Sequence, residues 1–377
     1  GAIELKHGEG VYRAIIEGID GITGNHVSRE TIPAMAATFR LLRRAATFKH
    51  LAYSVRNTVQ QVSAIPVAME EVGYLNWLQH AMRFSSPKGH AEFVSFVNEN
   101  SKYMRDRASF VNREASEYLR KITVEGEMQH VWNQFARYGF TPQTIVDSII
   151  AYPVWNARYE EGMNSHGDHA RAISDADTAV AESVGSGSDI HLGGVFQSNN
   201  TEFVKMFTVF GTWFNAYYQR IYRSTEGLTT IANEDAIRTL LFTPFVVAVM
   251  SAALIMDLPE DDEGFWEWAM KRYGAFMGGT VPILRDIVGS FSGYAPKTVF
   301  SGAAEAPARL TRVAERVIKE GQMETKGISD ITKIVTTIVP VPGSGNMTRV
   351  MDYVDSYNQG KEGDFDAYQA IVKGSTK

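Results

Sequence analysis

Apolar residues along this chain recur at helical spacing. After Pro87 they come in pairs seven or eight residues apart: Phe96 and Val97, Tyr103 and Met104, Phe110 and Val111, Tyr118 and Leu119. Arg105, Asp106, Arg107, Arg113, Glu114, Arg120 and Lys121 fill the face between them. A strand would alternate every second residue, and that alternation is absent. The pattern predicts one long amphipathic helix over about 88–122, with Met104, Phe110, Val111 and Tyr118 inward and Arg105 and Arg113 outward.

Other segments read the same way. Ser28, Arg29 and Glu30 open an earlier helix, with Pro33 in its first turns where a missing N–H costs least. This helix is expected to run to the Ile65-Pro66 step. Ala172, Ala176 and Ala179 space small residues as a tightly packing helix would. Leu310, Val313, Val317 and Ile318 form one face of a helix that starts at Pro307 and stops at Gly321. Ile328, Ile331, Ile334, Val335, Ile338 and Val339 keep helical spacing although they are β-branched. A short last helix covers about 346–358, and the tail after Gly360 is expected to fray. The fold class is therefore all-α: an irregular multi-helix bundle with long amphipathic helices.

Glycines at 185, 187, 193 and 194 mark the best internal boundary. The expected organisation is an N-terminal helical block over 1–184, a glycine-rich connecting loop over 185–200, a C-terminal helical block over 201–360, and a tail over 361–377.

The C-terminal block is the more apolar. Phe203, Met206, Phe207, Phe210, Trp213, Phe214, Tyr217, Tyr218 and Tyr222 crowd into twenty residues. Residues 240–256 then run for 17 positions without a charge, near the roughly 20 that a membrane span needs. Asp257, Glu260, Asp261, Asp262 and Glu263 follow, and then Trp266 and Trp268. That is the order of an apolar run ending at an aqueous boundary, with aromatics at interface depth. A buried core helix has the same pattern. Read as a membrane contact, the segment nominates Phe207, Phe210, Trp213, Phe214, Tyr217, Val247, Met250 and Leu254.

Composition narrows the chemistry. The 377 residues suffice for about two domains. With 44% hydrophobic and 21% charged residues the chain is globular in composition rather than disordered. The absence of cysteine excludes disulfides, thiolate zinc sites and a cysteine nucleophile. It also suits a chain that crosses compartments of different redox state. A net charge of −6 supplies no global basic field for nucleic acid. One stretch departs from this: over 29–56, six arginines and lysines face the single acid Glu30. Arg40, Arg43, Arg44 and Lys49 are its candidate phosphate contacts, while Met35, Phe39, Leu42, Ala46 and Phe48 assign its other face to a core. The chain begins at Gly1, as a processed product or a piece of something longer would. Glu4, Lys6, His7 and Glu9 interrupt any signal-like apolar run.

Motifs for catalysis are weak. His166-Gly167-Asp168-His169, with Asp175 and His191, could gather a metal or an enzyme site, but no H-E-x-x-H accompanies them. The plainer reading is a polar loop leading into a helix. His90-Ala91-Glu92 shares the H-x-E of nucleobase deaminases without the cysteines that site requires. Gly185-Ser186-Gly187 has Ile190 where a nucleotide loop needs its third glycine, and no strand precedes it. Glu182-Ser183 could start a lytic transglycosylase, but the downstream pattern is missing. No catalytic residue, cofactor or metal ligand is assigned.

Several stretches together resemble one family. Ser54-Val55-Arg56-Asn57-Thr58-Val59-Gln60 resembles its S-x-x-N-x-x-Q helix, and Ser101-Lys102-Tyr103-Met104-Arg105-Asp106-Arg107 its S-x-x-M-R-x-R helix. Residues 172–180 resemble its A-x-x-x-A-D-x-x-V helix through Ala172, Ala176, Asp177 and Val180. Gln197 followed by Lys205, Phe207, Thr208 and Phe210 resembles its Q…K-x-F-T-x-F segment. Pro259 with its acids, then Val281-Pro282-Ile283-Leu284-Arg285-Asp286, and finally Pro342-Gly343 before Arg349, complete the order. These are the large polyvalent protein-associated, ejection-protein-like regions of tailed bacteriophages, and the resemblance spans about residues 35–355. It implies an all-helical region without known catalysis, usually near the C-terminus of a very large polypeptide that travels in the virion and enters the host with the DNA. The partners it implies are other virion proteins or further domains of the same polypeptide, with the host inner membrane as a candidate contact. The location it implies is the virion, then the host envelope or cytoplasm. Two other readings stand beside it: a DNA-organising protein using 29–56, and an enzyme with a site near 166–191.

Overall fold

The computed structural model describes residues 39, 42–43, 52–110, 138–185, 212–225, 234–260, 262–279, 343–361 and 365–374. Among the described residues every regular element is a helix and there is no strand, so the chain is all-α.

Ser54 opens α1 (Val55–Gln61), its hydroxyl accepting from the Asn57 N–H at 3.2 Å. A 3₁₀ turn (Val62–Ala64) passes directly into α2 (Ile65–Val72). The expected helix across 29–65 is thus interrupted at 52–54, where Tyr53 has φ 56° and its N–H donates to Gly139 O. Pro66 does not stop the helix, because it sits in the first turn of α2, where no N–H is needed. Gly73, with φ 86°, turns the chain into α3 (Tyr74–Ser85). Ser86 caps α4 (Pro87–Asn100), and α5 (Lys102–Phe110) follows.

The long helix expected over 88–122 is therefore broken at Ser101, which is extended (φ −112°, ψ 113°). Ser101 Oγ accepts from the Met104 N–H at 2.9 Å and donates to Asp177 at 2.6 Å. One hydroxyl thereby caps α5 and pins it to a distant helix. Met104 is buried and Arg105 exposed, as the periodicity predicts. The side chains of Phe110, Val111, Arg113 and Tyr118 lie outside the described residues.

The first core forms around α6 (Thr141–His166) and α7 (His169–Ser183). Ala172, Ala176 and Ala179 are buried as their spacing predicts. A Cβ on Gly162 would stand only 3.1 Å from Ala172 Cβ, so the two helices meet at close range. Ile150, Val154 and Trp155 from α6 join Trp77, Val97 and Met104 in this cluster. The Trp155 indole N–H donates to Asp177 at 2.7 Å, on the oxygen that also receives Ser101.

Arg107 corrects the helical-face reading. It is 3% exposed instead of facing water. Its Nε and one terminal nitrogen donate to the two oxygens of Asp147, both at 2.8 Å. The other terminal nitrogen donates to Tyr103 Oη at 2.8 Å and Gly185 O at 2.9 Å. Burial alone would lower its pKa, but Asp147 and Tyr103 outweigh burial and hold it above the usual arginine value.

The second core joins Val67 of α2 to α8 (Thr212–Ser224), α10 (Thr243–Leu254) and α11 (Phe265–Gly279). A short α9 (Glu234–Ile237) and a π turn (Arg238–Phe242) lead into α10. Because Ala68 and Val72 belong to the first cluster and Val67 to the second, α2 serves both cores. The chain closes with α12 (Ser344–Asn358) and α13 (Ala367–Val372). The tail expected to fray after Gly360 instead forms α13, which buries Ala370 and Val372 and accepts Arg349 Nε on Ile371 O at 2.7 Å.

Arg107→Met should lower the unfolding free energy by about 3–5 kcal/mol, because Asp147 would remain buried without its cation. Arg105→Met should change it by less than about 0.5 kcal/mol. Urea unfolding followed by circular dichroism separates the two.

His80 generates a pH prediction. It is buried, its Nδ1 has no partner, and its Nε2 lies 3.6 Å from Glu160. Burial holds its pKa below the usual value, with Glu160 pulling upward and Arg83 pushing further down. As pH falls past about 6.5 the unfolded chain takes the proton first, so stability declines with acidification until the folded pKa is reached. His80→Gln should flatten this part of the Tm–pH profile, and an unchanged slope would refute the assignment.

Candidate functional site

The apolar segment is built as one 21-residue helical run, Glu234–Leu254. Among the described residues it is the one helix long and apolar enough to cross a membrane, judged by length and composition alone. Its inner face is polar at intervals. The Thr239 and Thr243 hydroxyls donate to the two carboxylate oxygens of Glu70, at 3.1 and 2.5 Å. Gln60 Nε2 donates to Ser251 Oγ at 3.3 Å. The π turn loosens the helical ladder, and two phenols take up its carbonyls: Tyr217 donates to Thr239 O and Tyr273 to Leu240 O.

Arg220 of α8 completes this layer, 2.6 Å from Glu71 and 3.5 Å from Glu70. Burial pushes its guanidinium down, but Glu71 and Glu70 more than offset that and hold it above the ordinary value. Burial also raises the Tyr217 phenol, and the Glu70 charge adds to the rise. Two carboxylates, one guanidinium and two phenols thus tie the apolar run to α2, α8 and α11.

After Met256, with φ 57°, the acids expected to mark an aqueous boundary organise the reversal into α11. Asp257 pairs with Arg272 at 2.8 Å, and its carbonyl accepts the Trp268 indole N–H at 3.1 Å. Lys271 bridges Glu263 at 2.7 Å and Glu267 at 2.9 Å. The two tryptophans part company: Trp268 is core, whereas Trp266 is 70% exposed.

The nominated membrane contacts divide in the same way. Tyr217 (2% exposed) and Val247 (1% exposed) are core residues, as the buried-core reading of the segment has it. Met250 and Leu254 are half-buried. Trp213 and Phe214 fall within α8, with side chains outside the described set, and Phe207 and Phe210 lie outside the described residues altogether. Apolar side chains that do face outward here include Ile237, Leu241, Phe242, Leu258, Phe265, Trp266 and Met270. Phe245 stacks on Trp266 with ring centroids 6.2 Å apart, joining α10 to the start of α11. Periodicity located the helix but not its outer face; Glu70 and Glu71, adjacent acids in an apolar segment, were the available signal that polar partners awaited them.

The basic stretch is described at one candidate position. Arg43 is 5% exposed, so it does not belong to a solvated phosphate-binding row. Arg40, Arg44 and Lys49 lie outside the described residues.

Around 166–175, His166 Nε2 is 3.4 Å from Asp175, while His169 contacts Tyr159 Oη at 2.9 Å and Asn100 Oδ1 at 3.2 Å. Asp168 accepts from the N–H groups of Ala170 and Arg171 and caps α7, and Gly167, with φ 67°, ends α6. This is the polar loop leading into a helix that the sequence suggested. His191 lies outside the described residues. Among the described residues, no group of three His, Asp or Glu side chains is arranged to hold a metal ion.

Compared with known proteins, the chain matches no family model, no curated protein and no solved structure.

Proposed function

We propose that this chain is a non-catalytic helical region of a tailed-phage internal virion (ejection) or large polyvalent protein, delivered into the host with the genome. The observation that carries the reading is what the residues of the family resemblance do. Ser54 and Ser101 cap helices, Met104 and Val180 fill the first core, and Ala172 and Ala176 set a close helix contact. Arg107 and Asp177 anchor buried polar contacts between helices. Shared residues that act as structural pins suit a module whose work is mechanical and topological rather than chemical.

Its partners in this reading are other virion proteins or further domains of the same polypeptide, and its location is the virion followed by the host envelope or cytoplasm. Contact with the host inner membrane draws support from the outward apolar side chains of α9–α11, Trp266 foremost. The burial of Arg43 weighs against the DNA-organising alternative.

Mass spectrometry of purified particles of the phage whose genome encodes the chain should detect it at fixed stoichiometry; its absence from particles would remove the proposal. For the membrane contact, vesicle flotation should recover a small fraction of native protein. Trp266→Ser should reduce that fraction several-fold with little change in stability. Val247→Asp should unfold the second core and increase the floated fraction, because it places an unpaired charge in a buried position and exposes the remaining apolar faces. Equal flotation of all three proteins would rule out a membrane role for this face.

A further inference from the structure

The helices around the second core fall into two groups by what holds them. α9, α10 and α11 hold one another. Tyr273 donates to Leu240 O at 2.8 Å, the Trp268 indole to Asp257 O at 3.1 Å, and Arg272 to Asp257 at 2.8 Å. Phe245 stacks on Trp266. Each of these contacts begins and ends within 234–279, so this hairpin carries them wherever it sits. α2 belongs to the other group, because Ala68 and Val72 fix it in the first core.

Across the seam between the groups, polar contact converges on Glu70, whose side chain is 4% exposed. One of its oxygens accepts from Thr239 and the other from Thr243, both on the hairpin. Tyr217, donating to Thr239 O, Gln60, donating to Ser251, and Tyr368, donating to Leu254 O, flank this contact. Arg220 of α8 backs the two acids, 3.5 Å from Glu70 and 2.6 Å from Glu71. The backing is incomplete. Arg107 in the first core engages all three of its nitrogens, whereas Arg220 Nε is buried without a hydrogen-bond partner among the described residues. A buried guanidinium offsets its lost hydration well when its donors are met and poorly when one is left over. Water reaching the seam would satisfy that N–H and both carboxylates. Opening the second core therefore relieves a polar cost that the first core does not carry. The groups that Glu70 would release on the hairpin are hydroxyls, and these can turn to carbonyls of their own helix.

We propose that α9–α11 is a detachable hairpin, latched to the rest of the protein by Glu70, and that its release presents its inner apolar face to a lipid surface. That face carries Val247, Ala248, Ala252, Trp268 and Phe276. Glu70, Glu71 and Arg220 stay behind in water on α2 and α8, so the latch sends no ion of its own into the bilayer. The lipid destination rests on the membrane reading above; the latch does not.

Hydrogen exchange of the full chain in low urea, followed by mass spectrometry, tests the latch. In the wild type, amides of α10 and α11 should exchange through an opening that leaves α6 and α7 protected. Arg220→Gln should speed exchange in the hairpin about tenfold or more, and Thr243→Val several-fold, with the first core unchanged. Thr243→Val leaves every ion pair in place, so it reads the latch even if Arg220→Gln does not fold. Both variants should also float several-fold more than wild type on vesicles of phosphatidylcholine and phosphatidylglycerol. Simultaneous exchange of the two cores, or hairpin exchange unmoved by Thr243→Val, would overturn the proposal. Local release with no gain in flotation upholds the latch and removes the membrane reading instead.

Discussion

A single guanidinium, buried against one carboxylate, one phenol and one backbone carbonyl, fixes the arrangement of the first core. Removing both ions of the Arg107–Asp147 pair from water costs several kcal/mol per ion, and only a fully satisfied geometry offsets that. The geometry here is of that kind: the carboxylate takes two donors side by side, and the remaining terminal nitrogen is shared between Tyr103 and Gly185. The pair relates α5 to the early turns of α6, and the Gly185 carbonyl adds the end of α7. A shift of any of the three would leave a charge or a donor unmet, which penalises alternative registers more than apolar packing would. Ser101, Trp155 and Asp177 repeat the device about two turns along α6 with neutral donors.

The second core uses the same logic on an apolar helix. Its outer composition would suit lipid, but Glu70 reads Thr239 and Thr243 from inside, and Arg220 stands behind Glu70 and Glu71. In a bilayer the threonine hydroxyls could turn to carbonyls of their own helix. Glu70 and Arg220 have no such recourse. The barrier between a protein-buried and a lipid-buried helix therefore resides in α2 and α8, not in the helix that would move. This explains why Tyr217 and Val247, apolar enough for either setting, are core residues here, while Trp266 at the turn is open to solvent.

Much of the helical architecture was legible from period alone. The buried alanines of α7 and the inward Met104 followed directly from spacing. The break at Ser101 did not, because α4 and α5 face a common core and the apolar phase continues across it; a serine before a helix is a cap signal that periodicity ignores. Arg107 was misplaced because a charged residue on an amphipathic helix is assigned to water unless its partner is known, and Asp147 lies 40 positions away. The docked α13 was missed for a similar reason: Arg349 reaches the Ile371 carbonyl, and a main-chain acceptor leaves no mark in a sequence. At the candidate surface, hydropathy located the helix, but only the partners of Glu70 decided which side faced outward.

The close seam between α6 and α7 has a kinetic consequence. Gly162, Ala172, Ala176 and Ala179 have no rotamers to lose, so closing this contact spends backbone entropy almost alone. The two helices are consecutive and joined by Gly167 and Asp168, so the loop to be closed is short and the contacts are local. A hairpin of this type re-forms early and without a search for side-chain fit. It leaves Asp147 and Asp177 already positioned as a template onto which α5, with Arg107 and Ser101, can dock. Any process that pulls this chain open would find its shortest route back through that seam.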